Sequence, residues 1–79
     1  MSEDTRALSF GEKAVGLSFN PSGDPTVNDL KVLYAQVIDR CNHLRTVSED
    51  PEVKRMCSVA ITEAQASQMW AVKAATWRG

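Results

Sequence analysis

Apolar positions along the chain fall into three regimes. Over residues 1–23 they are isolated: Leu8, Phe10, Val15, Leu17 and Phe19 are separated by charge and glycine, with no steady period. No regular element is predicted with any clarity there, and the segment reads as an arm, or a short helix, that needs a surface to pack on. From Asp24 the pattern sharpens. Asp24 suits an N-cap and Pro25 the first helical position, while Val27, Leu30, Tyr34, Val37 or Ile38, Cys41 and Leu44 recur at steps of three and four. One helix of about 20 residues is predicted. It stops at "RTVSEDPE", where Asp50 and Pro51 repeat the Asp-Pro start. A second helix then runs through Val53, Met56, Cys57, Ala60, Ile61, Ala64, Ser67 and Trp70 or Ala71 to about Trp77, with no internal Gly or Pro. Two long helices joined by a short turn predict an all-α fold: an antiparallel helical hairpin over 24–79, preceded by an arm and turn over 1–23, together forming one domain.

The second helix carries more apolar surface than a hairpin can use. In "ASQMWAVKAATW", Met69, Trp70, Val72, Ala74, Ala75 and Trp77 point in several directions at 100° per residue. A single partner helix covers one face, so other copies must cover the rest, or the arm must fold back over it. Small residues such as Ser58, Ala60, Ala64, Ala66, Ala71 and Ala74 would let backbones approach closely between subunits. Length points the same way. A monomer of 79 residues buries only about 60% of the surface its unfolded chain exposes, and oligomerisation would relieve that shortage.

Composition narrows the function classes. A formal net charge of −1 lacks the basic footprint of a DNA- or RNA-polymer binder. No apolar run approaches the roughly 18 residues that span a bilayer, and "MSEDTRALSF" lacks the basic-then-apolar order of a signal peptide, so a cytoplasmic chain without a membrane partner is expected. Cys41 and Cys57 lie in periodic helical segments without a CxxC, and with a single histidine in the chain a structural zinc site is not expected. Both read as buried, reduced thiols. His43 sits near the end of the first helix without a partner at a telling spacing, and Glu49, Asp50 and Glu52 suit the N-terminal dipole of the second. No phosphate loop, metal motif or nucleophile elbow is present, and no catalytic residue or cofactor is expected.

Binding candidates remain. In "GLSFNPSGDPTVNDLK", residues 16–31, a turn leads into a helix start whose free amides could hold an anion, but Asp24 and Asp29 would repel a phosphate placed there. Lys31 is the better phosphate contact; with Asn28 three residues earlier and Phe19 across the turn it would suit a small nucleotide through charge, hydrogen bonding and stacking. The plainer reading packs Phe19 on the helix and leaves Asn28 and Lys31 solvated. A second set, Arg55, Ser58 and Thr62, aligns a guanidinium and two hydroxyls along one stripe. Its plainer reading pairs Arg55 with Glu52. In a ring or threefold assembly, copies of Arg55 would converge and call for a polyanion.

The stretch "VGLSFNPSGDPTVNDLKVLYAQVID" and the later "SVAITEAQASQMWAVKAATW" resemble the phage helical-hairpin family of anti-CBASS and anti-Thoeris nucleotide sponges. The resemblance covers about residues 15–77, and the Asn-Pro-Ser-Gly turn and the Met-Trp-Ala-Val-Lys ending are its most specific parts. It implies a small protein that sequesters cyclic oligonucleotide immune messengers in the cytoplasm of the infected bacterial host without cleaving them, suppressing CBASS-type signalling. Short members assemble as symmetric homohexamers, with cyclic dinucleotides between hairpins and, in many cases, cyclic trinucleotides in separate threefold pockets. Lys31 matches the family's lysine on the first long helix, and Arg55 with Thr62 lies in the segment facing the trinucleotide site. At Phe19 the chain departs from the family pattern, in which a tyrosine precedes the lysine by a slightly longer interval. Two alternatives stand beside this expectation: a sponge for cyclic ADP-ribose-type Thoeris messengers, captured by longer members with a further domain, and a helical interaction module for a host or virion protein.

Overall fold

The computed structural model describes residues 7–79. Three helices follow in order: α1 (Phe10–Ala14), α2 (Pro25–Val47) and α3 (Pro51–Ala75). The long pair starts as its sequence dictates. Asp24 accepts a hydrogen bond from the Thr26 amide at 2.8 Å and Asp50 from the Glu52 amide at 2.9 Å. Pro25 and Pro51 occupy first-turn positions that would waste an amide. α2 turns Val27, Lys31, Ala35 and Ile38 inward, and α3 answers with Cys57, Ile61 and Gln68. The predicted hairpin is therefore observed. Its second helix ends at Ala75 rather than near Trp77, because the Thr76 hydroxyl turns back onto the Val72 carbonyl at 2.9 Å and closes the last turn.

α1 is the element that hydrophobic periodicity does not reveal. Ser9 and Glu12 form a capping box: the Glu12 amide donates to Ser9 Oγ at 3.1 Å, and the Ser9 amide to Glu12 Oε1 at 2.8 Å. Gly16, at φ +63°, ends the helix; its amide reaches the Lys13 carbonyl, and the Leu17 amide reaches that of Glu12, the paired pattern of a glycine-terminated helix. Five residues of helix would not persist in isolation. Docking on α2 holds it. Asp39 of α2 accepts from the Gly11 amide at 2.6 Å and from Ser9 Oγ at 2.7 Å, placing a carboxylate on the N-terminus of α1. Gly11 is what permits the approach, since a Cβ there would stand 2.2 Å from the Ala35 carbonyl oxygen.

Val15, just past α1, joins Ala35, Ile38 and Ile61 in the core, with Ala14, Leu17, Tyr34, Cys41 and Ala64 packed around them. The arm thus belongs to the same core as the hairpin, and Gln65 of α3 also bonds the Ala14 carbonyl at 3.3 Å. Cys57 is buried, Cys41 half-buried, and both are free thiols. His43 is exposed.

The Cα envelope measures 43 × 37 × 12 Å. Two stacked layers of helices, with axes about 8–10 Å apart and Cα atoms about 2.3 Å from each axis, need roughly 13–15 Å. At 12 Å the envelope falls just short of two full layers, a thin three-helix packing. The arm covers part of α2 but not the outward apolar residues: Leu33, Val37, Leu44, Met69, Trp70 and Trp77 are all at least half exposed. Both sequence-level answers to the excess apolar surface are thus relevant, because the arm folds back and much remains uncovered.

Replacing Gly11 by Ala should destabilise the protein by about 1–3 kcal/mol through overpacking against the Ala35 carbonyl. Urea unfolding measures this; a variant as stable as the parent would mean that α1 does not dock as closely as described.

Candidate functional site

The Asn20–Gly23 segment makes a tight turn, closed by the Gly23 amide on the Asn20 carbonyl at 3.0 Å, with Pro21 preset for its second position and Gly23 at φ +66°. Asn20 Nδ2 donates to the Asp24 carbonyl at 3.0 Å, tying the turn to the start of α2. A half-open cleft of about 320 Å³ results, walled by Phe19 to Ser22 of the loop, Val27 and Lys31 of α2, and Val72 and Thr76 at the far end of α3. Asp24 already occupies the Thr26 amide and Pro25 has none, so the helix start offers an anion little. Positive charge in the cleft comes from Lys31.

Lys31 is only 5% exposed. Its ammonium donates to the Gly16 carbonyl at 2.9 Å and to the Phe19 carbonyl, and stands 5.6 Å from the centre of the Phe19 ring. A buried ammonium is costly without such partners. Here they also fix the loop, since the two carbonyls bracket residues 16–19. An ammonium has three N–H bonds, and the third has no acceptor among the described residues. The side chain thus holds the loop with two of its three N–H bonds committed to backbone.

Of the first predicted set, the structure brings Phe19 and Lys31 together and leaves Asn28 apart. Phe19 is 72% exposed beside the cleft, not packed as a staple. Asn28 is exposed and is not among the lining residues. Three residues rotate a helix by 300°, so a side chain three before the inward Lys31 lies about 60° off that stripe. Asn20, Ser22, Val72 and Thr76 complete the cleft. Periodicity could not find them, because α3 contributes through the register of the hairpin, although the Asn-Pro-Ser-Gly turn marked the loop.

The second set lies near the opposite end of the hairpin. Arg55, Ser58 and Thr62 are all exposed on α3. Arg55 takes the plainer arrangement: its Nη2 stands 2.5 Å from Glu52 Oε2 and its Nε 3.1 Å from Glu52 Oε1. This pairing holds the Glu52 carboxyl below the usual carboxylate range. Ser58 Oγ accepts from Arg45 Nη1 at 3.0 Å. Arg45, whose other amino group donates to Asn42 Oδ1 at 2.7 Å and whose guanidinium lies 5.4 Å from the Phe10 ring centre, is a second cation the sequence reading did not place there. Thr62 continues the stripe.

Residues 12–76, which include both long helices entire, match the sequence model of the Acb2/Tad1 hairpin domain. The chain belongs to that family, the phage anti-CBASS and anti-Thoeris sponges. At the family level this is an anti-defence protein that sequesters cyclic nucleotide messengers. No curated protein and no solved structure matched the chain in the parallel comparisons. Among the described residues, no helix is long and apolar enough to cross a membrane.

Lys31→Met should leave the Gly16 and Phe19 carbonyls without their donor, at a cost of about 1–3 kcal/mol. Amide hydrogen exchange at Phe19 and Gly23 should accelerate; unchanged protection would show that the loop holds its shape without the ammonium.

Proposed function

We propose that this chain is a non-enzymatic, homo-oligomeric sponge, hexameric as in short family members, that lowers free cyclic oligonucleotide messenger in the infected host and so suppresses CBASS-type signalling. The observation that carries this reading is the preorganised Lys31 ammonium at the cleft, with the exposed Phe19 ring beside it. Charge for a phosphate and a face for a base stand together, and the ammonium is held in place before ligand arrives. A cleft of about 320 Å³ lies at the lower bound of ligand pockets, roughly 300–1,000 Å³. A cyclic dinucleotide therefore needs a further wall from another copy, and Asn28, exposed one turn before Lys31, is placed at the rim rather than the floor.

Arg55, Ser58 and Thr62, with Arg45 behind Ser58, form the candidate site for a cyclic trinucleotide. Arg55 and Val72 are seventeen residues apart on one helix, about 25 Å at 1.5 Å per residue. Sites so separated act independently. Sequestration requires affinity and abundance, not bond cleavage, which accords with a site whose chemistry is charge and stacking.

Titration calorimetry with cyclic di- and trinucleotides and cyclic ADP-ribose isomers tests this. Phe19→Ala, which spares the backbone carbonyl that Lys31 holds, should weaken cyclic dinucleotide binding about 5-fold or more, the lower end of a lost stacking contact, and leave trinucleotide binding unchanged. Arg55→Ala should do the reverse. Ligand recovered after denaturation should be intact; linear product would identify an enzyme, and binding of ADP-ribose isomers alone would identify a Thoeris sponge. Glu52→Gln should strengthen trinucleotide binding by about 3-fold or more, because it releases Arg55 from a competing carboxylate. An unchanged constant would remove Arg55 from the phosphate shell.

A further inference from the structure

The outward face of α3 carries its own complement. Opposite the buried stripe it reads Val59, Glu63, Ala66, Trp70, Lys73 and Trp77 at alternating steps of four and three, the spacing of a coiled-coil seam. Ala66 is half-buried and the others are exposed, Val59 by 47%, Trp70 by 70% and Trp77 by 65%. Lys73 lies along this seam, 5.3 Å from the Trp70 ring centre and 6.0 Å from that of Trp77. Glu63 has no ion-pair partner among the described residues.

The order is self-complementary about Gln68. A second α3 running antiparallel, centred at that residue, sets Glu63 opposite Lys73 of the second copy, Ala66 opposite Trp70, and Val59 opposite Trp77 just past the helix end. Each contact occurs twice, as a two-fold interface requires. Large meets small, and each charge in the seam meets its opposite. We infer that α3 pairs with α3 of a second copy in this antiparallel register, with Glu63 and Lys73 as its reciprocal ion pairs.

Other pairings fit worse. Parallel alignment places Glu63 on Glu63 and Lys73 on Lys73; a shift by one heptad one way sets Glu63 against Ala66 and Lys73 against Met56, and the other way sets Lys73 against Trp70 and leaves Glu63 beyond the end of the partner helix. Docking on the outer stripe of α2 can bring Glu63 to Arg40, but that register sets Lys73 against Leu30. Area also suffices. Two largely exposed indoles from each copy supply roughly 600 Å² together, about half of the ~1,200 Å² that small specific interfaces bury. The inference rests on the oligomeric part of the function proposed above and names one of its contacts.

A zero-length carbodiimide cross-link on the full chain tests it. Glu63 and Lys73 of one helix are ten residues apart, about 15 Å, too far to be joined directly, so a Glu63–Lys73 linkage can form only between copies. Mass spectrometry of the cross-linked dimer should find it. Glu63→Lys or Lys73→Glu, both at exposed positions and expected to keep parental helicity, should weaken self-association by about 10-fold or more, and the double exchange should restore it to within about 3-fold. Oligomers that lack the linkage, or single exchanges without effect on sedimentation, overturn this interface while leaving nucleotide capture standing. A chain that stays single at all concentrations overturns it together with the shared pocket.

Discussion

Three helices packed as thinly as this leave broad outward faces, and a chain of this size can cover only part of them. That constraint orders the rest of the structure. α2 lies between α1 and α3, so its inward residues Ala35 and Ile38 share a core with Val15 and Ile61. Among the described residues only Ile38 is fully enclosed. The apolar surplus on α2 and α3 therefore reflects incomplete coverage, not careless patterning. Burial of a Val, Leu or Met is worth about 1.5–3 kcal/mol, so a few such residues left in water represent a driving force comparable to the stability of a small domain. Association is the expected outlet for it.

The loop of residues 15–23 shows how polar groups substitute for a core where the layer is thin. Gly16 turns the chain after α1, the Asn20–Gly23 turn reverses it into α2, and Lys31 supplies the donor that the intervening carbonyls need. A methylene stem through the layer and a charged head under the loop let one side chain fill space and satisfy backbone at once. The same arrangement keeps an uncommitted N–H beside an aromatic ring. The structural role seen here and the proposed recognition role thus fall on one residue, which is why removal of Lys31 alone cannot separate them and removal of the Phe19 ring can.

Much of this architecture is legible in the amino-acid order. Both Asp-Pro starts, the uninterrupted second helix and the surplus on its last turns follow from spacing and capping rules. α1 was written in a different signal: the Ser9–Glu12 box is visible, but isolated apolar residues around it give no period, and its stability comes from Asp39, twenty-seven positions beyond Glu12. From sequence Lys31 reads as a solvated or ligand-facing charge because lysine rarely lies inward, and no local rule shows that two carbonyls await it. Asn28 was grouped with it on spacing alone, and a 60° offset separated them. Arg45 and Ser58 meet across the hairpin, so their pairing depends on a register that neither helix encodes by itself.

Each candidate site is modest within one copy. The cleft offers one committed ammonium and one ring, and Arg55 is balanced by Glu52. Tight capture, on the order of −12 kcal/mol for nanomolar affinity, would demand more charge and more enclosure than either provides. In the proposed oligomer symmetry would supply both without new chemistry: repeated copies would bring repeated cations to a ligand with repeated phosphates, and the apolar flanks would close the walls. On that proposal, the exposed apolar flanks that leave the isolated hairpin incompletely covered are the same feature that would make its shallow sites sufficient.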